Sequence, residues 1–252
     1  LPNDATYGGN TDNKYTQQYG KQQGKYYVPQ RASAGLDPWV TPQAYDNAKE
    51  FFDTGITWSN SLNVAQMLEK SSSSISLGNT HQDGIISSTG MDRYNVKVSA
   101  DTKLTNNWSS GFTANYITTS IDKAVTSGNG LLRTVYAAPP SYDLAGIPSH
   151  VDGNQYTQNS FRGSFDNAYW AMDNNKFTED TNRFFGNVYA SYQTDFGTTN
   201  HKLNAKYMVG VDAYTTHYVD SYGYGSNTGG GRGQIENYGW TNATYNSLLT
   251  IN

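Results

Sequence analysis

The sequence predicts an all-β chain of antiparallel strands, on three observations: a residue mixture suited to strands and turns, strict alternation of apolar and polar residues, and connections that alternate between short and long. Tyr 21, Phe 9 and Trp 5 make 14% of the 252 residues aromatic, while charged residues fall to 15%, well under the roughly 25% of soluble globular domains. Aromatic and β-branched residues suit a pleated surface, and the abundant Gly, Asn and Ser suit tight turns.

Taken in order, residues 1–45 are polar and aperiodic, with the glutamine pairs Gln17-Gln18 and Gln22-Gln23 and the Pro-punctuated stretch from Asp37 to Pro42. This reads as an irregular connection, with a short helix near Pro42 to Phe52. From Ile56 the period becomes two. Tyr94, Val96, Val98 and Ala100 alternate with Asn95, Lys97, Ser99 and Asp101. Trp108, Ser110, Phe112, Ala114 and Tyr116 alternate with small polar residues, and Leu203 to Ala213 repeats the pattern. Alternation of this length means strands with one polar face. Weaker runs at Trp58 to Gln66, Ser73 to Thr80, Phe184 to Phe196 and about Gln234 to Ile251 bring the candidate strands to seven.

The connections carry the next step. Glu69 to Ser71, Leu104 to Asn107 and Gly197 to Asn200 are short; Gln82 to Gly90, Ser120 to Thr181 and Tyr218 to Arg232 are long. Short turns on one rim and long loops on the other describe a transmembrane antiparallel β-barrel, whose periplasmic turns are short and outer loops long. The same assignment puts Trp108 near one interface and Tyr94 and Tyr116 near the other, as aromatic girdles require. In the competing reading the apolar face lines the core of a soluble sandwich.

Other classes are disfavoured. A formal net charge of -4 and a pI near 5.5 argue against holding nucleic acid by phosphate neutralisation. With Cys 0 there is no disulfide framework and no thiolate chemistry. No apolar stretch approaches the roughly 18 residues of a spanning helix, but a spanning strand needs only about 9–11, alternately apolar. The chain starts at Leu1 without an initiator Met or a signal peptide and ends in an alternating run, so it reads as an internal stretch of a longer protein.

A family resemblance sharpens the picture. Phe51-Phe52-Asp53-Thr54-Gly55-Ile56-Thr57 resembles the segment before an early barrel strand in SusC/RagA-like TonB-linked outer-membrane proteins. Ser74 to Ile85, ending in Asp83-Gly84-Ile85 and followed by Arg93-Tyr94, is similar to that family's next hairpin. Leu132-Arg133-Thr134, Pro139-Pro140-Ser141-Tyr142-Asp143 and Tyr169 to Asn175 look like landmarks of a long outer loop; Asn182 to Asn187 and Gly210-Val211-Asp212 look like the strand pair after it. None is specific alone; together they span roughly Phe51 to Asp212 in family order.

The resemblance implies a bacterial outer-membrane barrel of about 22 strands with a plugged lumen, seven of them here. It implies a TonB-dependent importer of oligosaccharides or peptides, working with a SusD-like surface lipoprotein and surrounded by outer-membrane lipid. The family's plug domain and TonB-interacting box are not in this sequence. Residues 1–55 would then be an irregular connection following the plug, and residues 56–252 a partial barrel with extracellular loops at about 120–181 and 218–232. A porin-like or adhesin-like barrel without TonB coupling and a soluble glycan-binding β-sandwich are the alternatives.

No catalytic, metal or cofactor site is assigned. His81, His150, His201 and His217 are scattered and read as loop or rim residues. Gly229-Gly230-Gly231-Arg232-Gly233 lacks the Gly-Lys-Ser/Thr ending of a phosphate loop and reads as a loop hinge. Asp166, Asp173, Glu179 and Asp180 could be paired on paper as glycosidase carboxylates, and Asp173, Asn174 and Asn175 could offer oxygens to calcium without a known spacing. The candidates for substrate or partner contact are Tyr156, Tyr169, Trp170, Tyr218, Tyr222 and Tyr224 on the two long loops. Aromatic faces beside amides and carboxylates suit sugar rings or peptides; stiffening of the loops, or packing on a partner lipoprotein, accounts for them equally well.

Overall fold

The computed structural model describes residues 1–125, 130–197 and 201–252. Strand makes up 51% of the chain and helix 14%, so the fold is all-β. All seven expected strands form: β1 (Ile56–Met67), β2 (Ser71–Asp83), β3 (Gly90–Lys103), β4 (Trp108–Lys123), β5 (Lys176–Asp195), β6 (Lys202–Tyr222) and β7 (Gln234–Ile251). They make one antiparallel sheet in which each strand pairs with its neighbours in sequence, from β1 at one edge to β7 at the other. The sheet is open and does not close into a barrel within this chain.

Register converts sequence alternation into two faces, because directly paired residues point to the same side. One row runs Leu62, Leu77, Val96, Tyr116, Phe184, Ala213; the next runs Val64, Ile75, Val98, Ala114, Gly186, Val211, Tyr245. Lower rows add Phe112, Val188, Val209, Tyr207, Leu249, Trp108, Tyr192, Ala205 and Ile251. None of this apolar band is enclosed by another layer: Val96 and Val209 are 39% and 40% exposed, and Val98 and Val211 are half-buried. Above it the same face turns polar, through Asn79, Thr118, Asn182, Thr215 and Thr241. Tyr116 marks that boundary, its hydroxyl donating to Asn182 Oδ1 at 3.0 Å. Trp108 and Tyr192, with ring centroids 5.0 Å apart, mark the lower one.

The opposite face is mostly polar and satisfies itself across strands. Arg183 Nε donates to Asp212 Oδ1 at 2.8 Å with the second guanidinium arm on Oδ2, a bidentate pair. Tyr189 donates to Asp101 at 2.6 Å, Lys206 Nζ sits 4.0 Å from the Tyr189 ring centroid, and Ser74 pairs with Ser99 at 2.8 Å.

The connections sort by length as expected. Leu68 N–H donates to Ser71 and Leu104 N–H to Trp108 across the two described short turns. Residues 198–200 of the third lie outside the described residues; on either side, Phe196 N–H donates to the His201 carbonyl. At the other end the loop expected over 120–181 is shorter, because β4 continues to Lys123 and β5 begins at Lys176. On the band's face β4 continues through Thr118, Ser120 and Asp122 while Ile117 and Ile121 fall on the opposite face, so the apolar alternation breaks there and cross-strand pairing reveals the strand. For the same reason Tyr218 and Tyr222, expected in a loop at 218–232, belong to β6, paired with Tyr238 and Gln234.

The long connection is folded rather than extended, and residues 1–55 are not separate from it. Helices α1 (Lys14–Tyr19), α2 (Pro29–Ser33) and α3 (Asn47–Phe51) precede the sheet, α3 lying inside the segment read as a short helix; α4 (Leu131–Ala137) and α5 (Ala168–Asn174) lie between β4 and β5. α1 starts at a capping box, Asn13 accepting from Tyr15 and Thr16 while Thr16 Oγ1 accepts from Asn13. Tyr26, Val28 and Phe51 share one core with Ile86, Leu131, Val135, Leu144, Ile147 and Trp170. Asn47 stitches the two parts, its Oδ1 accepting from Leu144 N–H at 3.1 Å. Asn159 Nδ2 donates to the Gln30 carbonyl at 2.8 Å. Burial pushes the Tyr142 phenol up from its ordinary pKa, with the Asp143 carboxylate adding to it, and its hydroxyl has no hydrogen-bond partner among the described residues. Asp53 N–H donates to Ile85 O at 2.9 Å, which anchors this cap to the long-loop end of the sheet.

Because the cap has its own core, it should fail separately. Leu144, 1% exposed, replaced by Ala should cost about 2–5 kcal/mol. Limited proteolysis should then cut within 131–175 while the β3 and β4 amides keep their exchange protection.

Candidate functional site

The six aromatic candidates divide into three placements. Trp170 is fully buried, its Nε1 donating to the Gln155 carbonyl at 2.8 Å. It is a support of the cap and offers no ring face to a ligand, which corrects its expected place among contact residues. Its position on α5 follows from the Asn167 cap, whose Oδ1 accepts from Tyr169 and Trp170 N–H. Tyr169 is half-buried edge-on against Phe51, at 5.3 Å between centroids, and burial followed by the carboxylates of Glu50, Asp143 and Asp53 holds its phenol above the usual range.

Tyr156 and Tyr224 meet at the cap surface, 51% and 61% exposed, with ring planes at 90° and centroids 5.5 Å apart. Gly225 makes the meeting possible: at φ +101 its backbone favours glycine, and a Cβ there would lie 2.2 Å from the Tyr156 carbonyl. The run Gly229, Gly230, Gly231 and Gly233 serves the same turn, all four at positive φ.

Asp166 is the tie beneath them, buried at 4% exposure. Its Oδ1 accepts from Gln158 Nε2 at 2.8 Å, Asn227 N at 2.7 Å and Asn227 Nδ2 at 2.8 Å; its Oδ2 accepts from Ser226 Oγ at 2.6 Å. One carboxylate therefore joins the 223–233 loop to the long connection.

Tyr218 and Tyr222 lie elsewhere, on the polar face of β6 where the strands reach the cap. Tyr218 stacks on Tyr238 with centroids 5.0 Å apart and planes at 10°, and Trp240 lies 5.2 Å away at 38°. Lys123 Nζ is 4.4 Å from the Tyr218 centroid and 3.4 Å from Glu179 Oε2. Tyr238 donates to Asp220 Oδ2 at 3.1 Å. Tyr222 packs edge-on against Phe177 at 5.0 Å, walling a recess of about 500 Å³ that also takes in Ile86, Lys123, Val125, Asp220 and Tyr238. Sequence reading missed Tyr238, Trp240, Lys123 and Asp220. Even-spaced Tyr238 and Trp240 on one face of β7 were the available signal.

The structure also places several of the other polar groups singled out in the sequence. Glu179 and Asp180 are neighbours in β5 and point to opposite faces, Asp180 accepting from Ser120 at 2.6 Å. Asn174 Nδ2 donates to the Trp170 carbonyl at 2.9 Å and Asn175 Oδ1 accepts from Gly223 N–H at 2.8 Å, so both serve the cap backbone. His81 sits at the upper end of β2, 2.8 Å from Asp92, and His217 in β6 pairs with Asn237 at 2.6 Å. Among the described residues no three His, Asp or Glu side chains gather as a metal site.

Compared with protein families and with curated proteins, the chain matches none.

Asp166→Ala leaves the Ser226 and Asn227 donors without their acceptor, at a cost of about 1.5–3 kcal/mol for a bond to a charged group. Hydrogen exchange across 223–233 should rise while β5 stays protected.

Proposed function

We propose that this chain is part of the wall and outer cap of a bacterial outer-membrane transporter, a SusC/RagA-like TonB-dependent importer of oligosaccharides or peptides. The observation that carries the membrane reading is the uncovered two-faced sheet. The apolar band on β6 runs roughly ten residue steps, Leu203 to Ala213, about 33 Å of strand at about 3.3 Å each. At the tilt of about 40° usual in such barrels this becomes about 25 Å, the height of a lipid-facing band. Aromatic rings at both margins, Tyr94, Tyr116, Trp108 and Tyr192, suit the two interfaces. Each large side chain left exposed forgoes about 1.5–3 kcal/mol of burial, a cost that lipid removes.

A sandwich would need a second sheet over the band. Among the described residues the only other ladders are the pairs Tyr26–Tyr27 with Trp39–Val40 and His150–Val151 with Asn154–Gln158, too small to cover it. Further strands pairing with β1 and β7 would satisfy the unpaired groups of the two open edges.

The TonB coupling and the SusD-like partner rest on the resemblance between Phe51 and Asp212. The cap, on the long-loop rim, is where a surface lipoprotein would deliver cargo. The full-length protein should partition into detergent and resist carbonate washing, and its uptake activity should vanish in cells lacking TonB. Recovery in the aqueous phase would sink the membrane reading; uptake that survives loss of TonB would leave a porin.

The faces predict an asymmetry between adjacent residues. Val209→Lys places a charge in the band and should cost about 2–4 kcal/mol, lowering the heat-modifiable folded band on gels. Met208→Lys, on the polar face, should insert normally. Equal behaviour of the two would contradict a lipid-facing wall.

A further inference from the structure

The sheet and the cap meet at the connection between β2 and β3, and a histidine sits at its base. Residues 84–89 hold both sides: the Ile85 carbonyl accepts from Asp53 N–H at 2.9 Å, and Ile86 is buried in the cap core. Ile85, Ile86 and Thr89 also wall the recess of about 500 Å³ under the cap. The connection closes on itself through Gly84 N–H, which donates to the Thr89 carbonyl at 2.8 Å. Just below, His81 of β2 is paired in register with Asp92 of β3. Its Nδ1 lies 2.8 Å from Asp92 Oδ1 and its Nε2 lies 3.3 Å from Asp83 Oδ1. His81 and Asp92 are two rows above the row of Leu77, Val96 and Tyr116, and so beyond the apolar band.

We propose that His81 is a pH-sensitive clamp on this joint, closed when the ring is protonated and slack when it is neutral, and that it sets how firmly residues 84–89 wall the recess. The clamp is independent of the importer reading, since it needs only the β2–β3 hairpin and the cap. Donor counting gives its direction. A protonated imidazole has two N–H donors and meets both carboxylates; a neutral ring keeps one donor and turns a lone pair toward the other carboxylate. Asp83 and Asp92 are then two like charges at the base of one hairpin. The surroundings supply no substitute cation. β1 opposes His81 with Trp58, β4 brings Ser120 and Asp122 beyond Asp92, and no lysine or arginine of β1 to β4 lies on this face. Asp92 first, and then Asp83, hold the His81 pKa above its ordinary value. The clamp is therefore complete below the free histidine's pKa of about 6.5 and is lost as pH rises through the higher folded value. All three side chains are half exposed or more, so solvent screening keeps the effect local to the joint.

The test is hydrogen exchange of the full-length protein in detergent between pH 5.5 and 8.5, each rate being divided by its intrinsic rate at that pH. Protection of the Asp53, Gly84 and Thr89 amides should fall about threefold from the acid to the alkaline end, a size in keeping with exposed ion pairs. The β4 amides of Phe112 and Ala114 should hold constant. His81→Gln should show the weaker, alkaline level of protection at every pH. Asp92→Asn should keep a pH dependence whose midpoint moves to lower pH, because the ring loses the nearer of its two carboxylates. Heat-modifiability on gels checks that each variant is folded; if one is not, the other variant and the wild-type profile decide. Wild-type protection that is flat with pH, a folded His81→Gln protein that retains the dependence, or an unmoved midpoint in folded Asp92→Asn overturns the clamp.

Discussion

The antiparallel ladder running from Ile56 to Ile251 is the constraint on which the other features depend. Each of the seven strands pairs with the next in sequence, and the long sheet shows no register shift among the described residues. A slip of one residue would move every side chain of a strand to the opposite face. It would carry Val209 and Val211 among the polar groups and set Arg183 and Asp212 into the apolar band. The bidentate Arg183 and Asp212 pair and the Tyr189 to Asp101 bond lock the polar side, while the aliphatic rows lock the other.

The two ends of the sheet are built on different principles. At the short-turn end backbone bonds close the two described hairpins, helped at the second by Thr105 Oγ1, which accepts from Asn107 and Trp108 N–H. At the long-loop end a second, conventional core forms, in which Trp170, Leu144 and Val135 are buried by residues from both the N-terminal segment and the long connection. The cap thus has an interior of the usual sort, and the sheet has two surfaces and no interior. Asp166 adds the 223–233 loop to the cap through three hydrogen bonds accepted from Ser226 and Asn227, and a fourth from Gln158 ties it to the long connection.

Aromatic residues divide accordingly into three physical roles. Those at the margins of the apolar band have one oily and one wet environment. Those in the cap pack edge to face as ordinary core. Those on the polar face near Trp240 pack on one another across β6 and β7, Tyr218 stacking on Tyr238 with Trp240 beside it.

The strands and their two faces were legible in the sequence, because alternation at period two is a local property that needs no knowledge of the partner strand. The sorting of connections was legible too, since hairpin length is counted along the chain. What tertiary structure decided was where polar strand ends stop and which aromatics meet. Thr118 to Lys123 and Tyr218 to Tyr222 are strand only because their cross-strand partners hold them. Trp170 is interior only because the distant N-terminal segment folds over the long connection. The patch of Tyr218, Tyr238, Trp240 and Lys123 draws on β4, β6 and β7, with Lys123 more than a hundred residues from Trp240 in the chain, a proximity set by the ladder that no local pattern encodes.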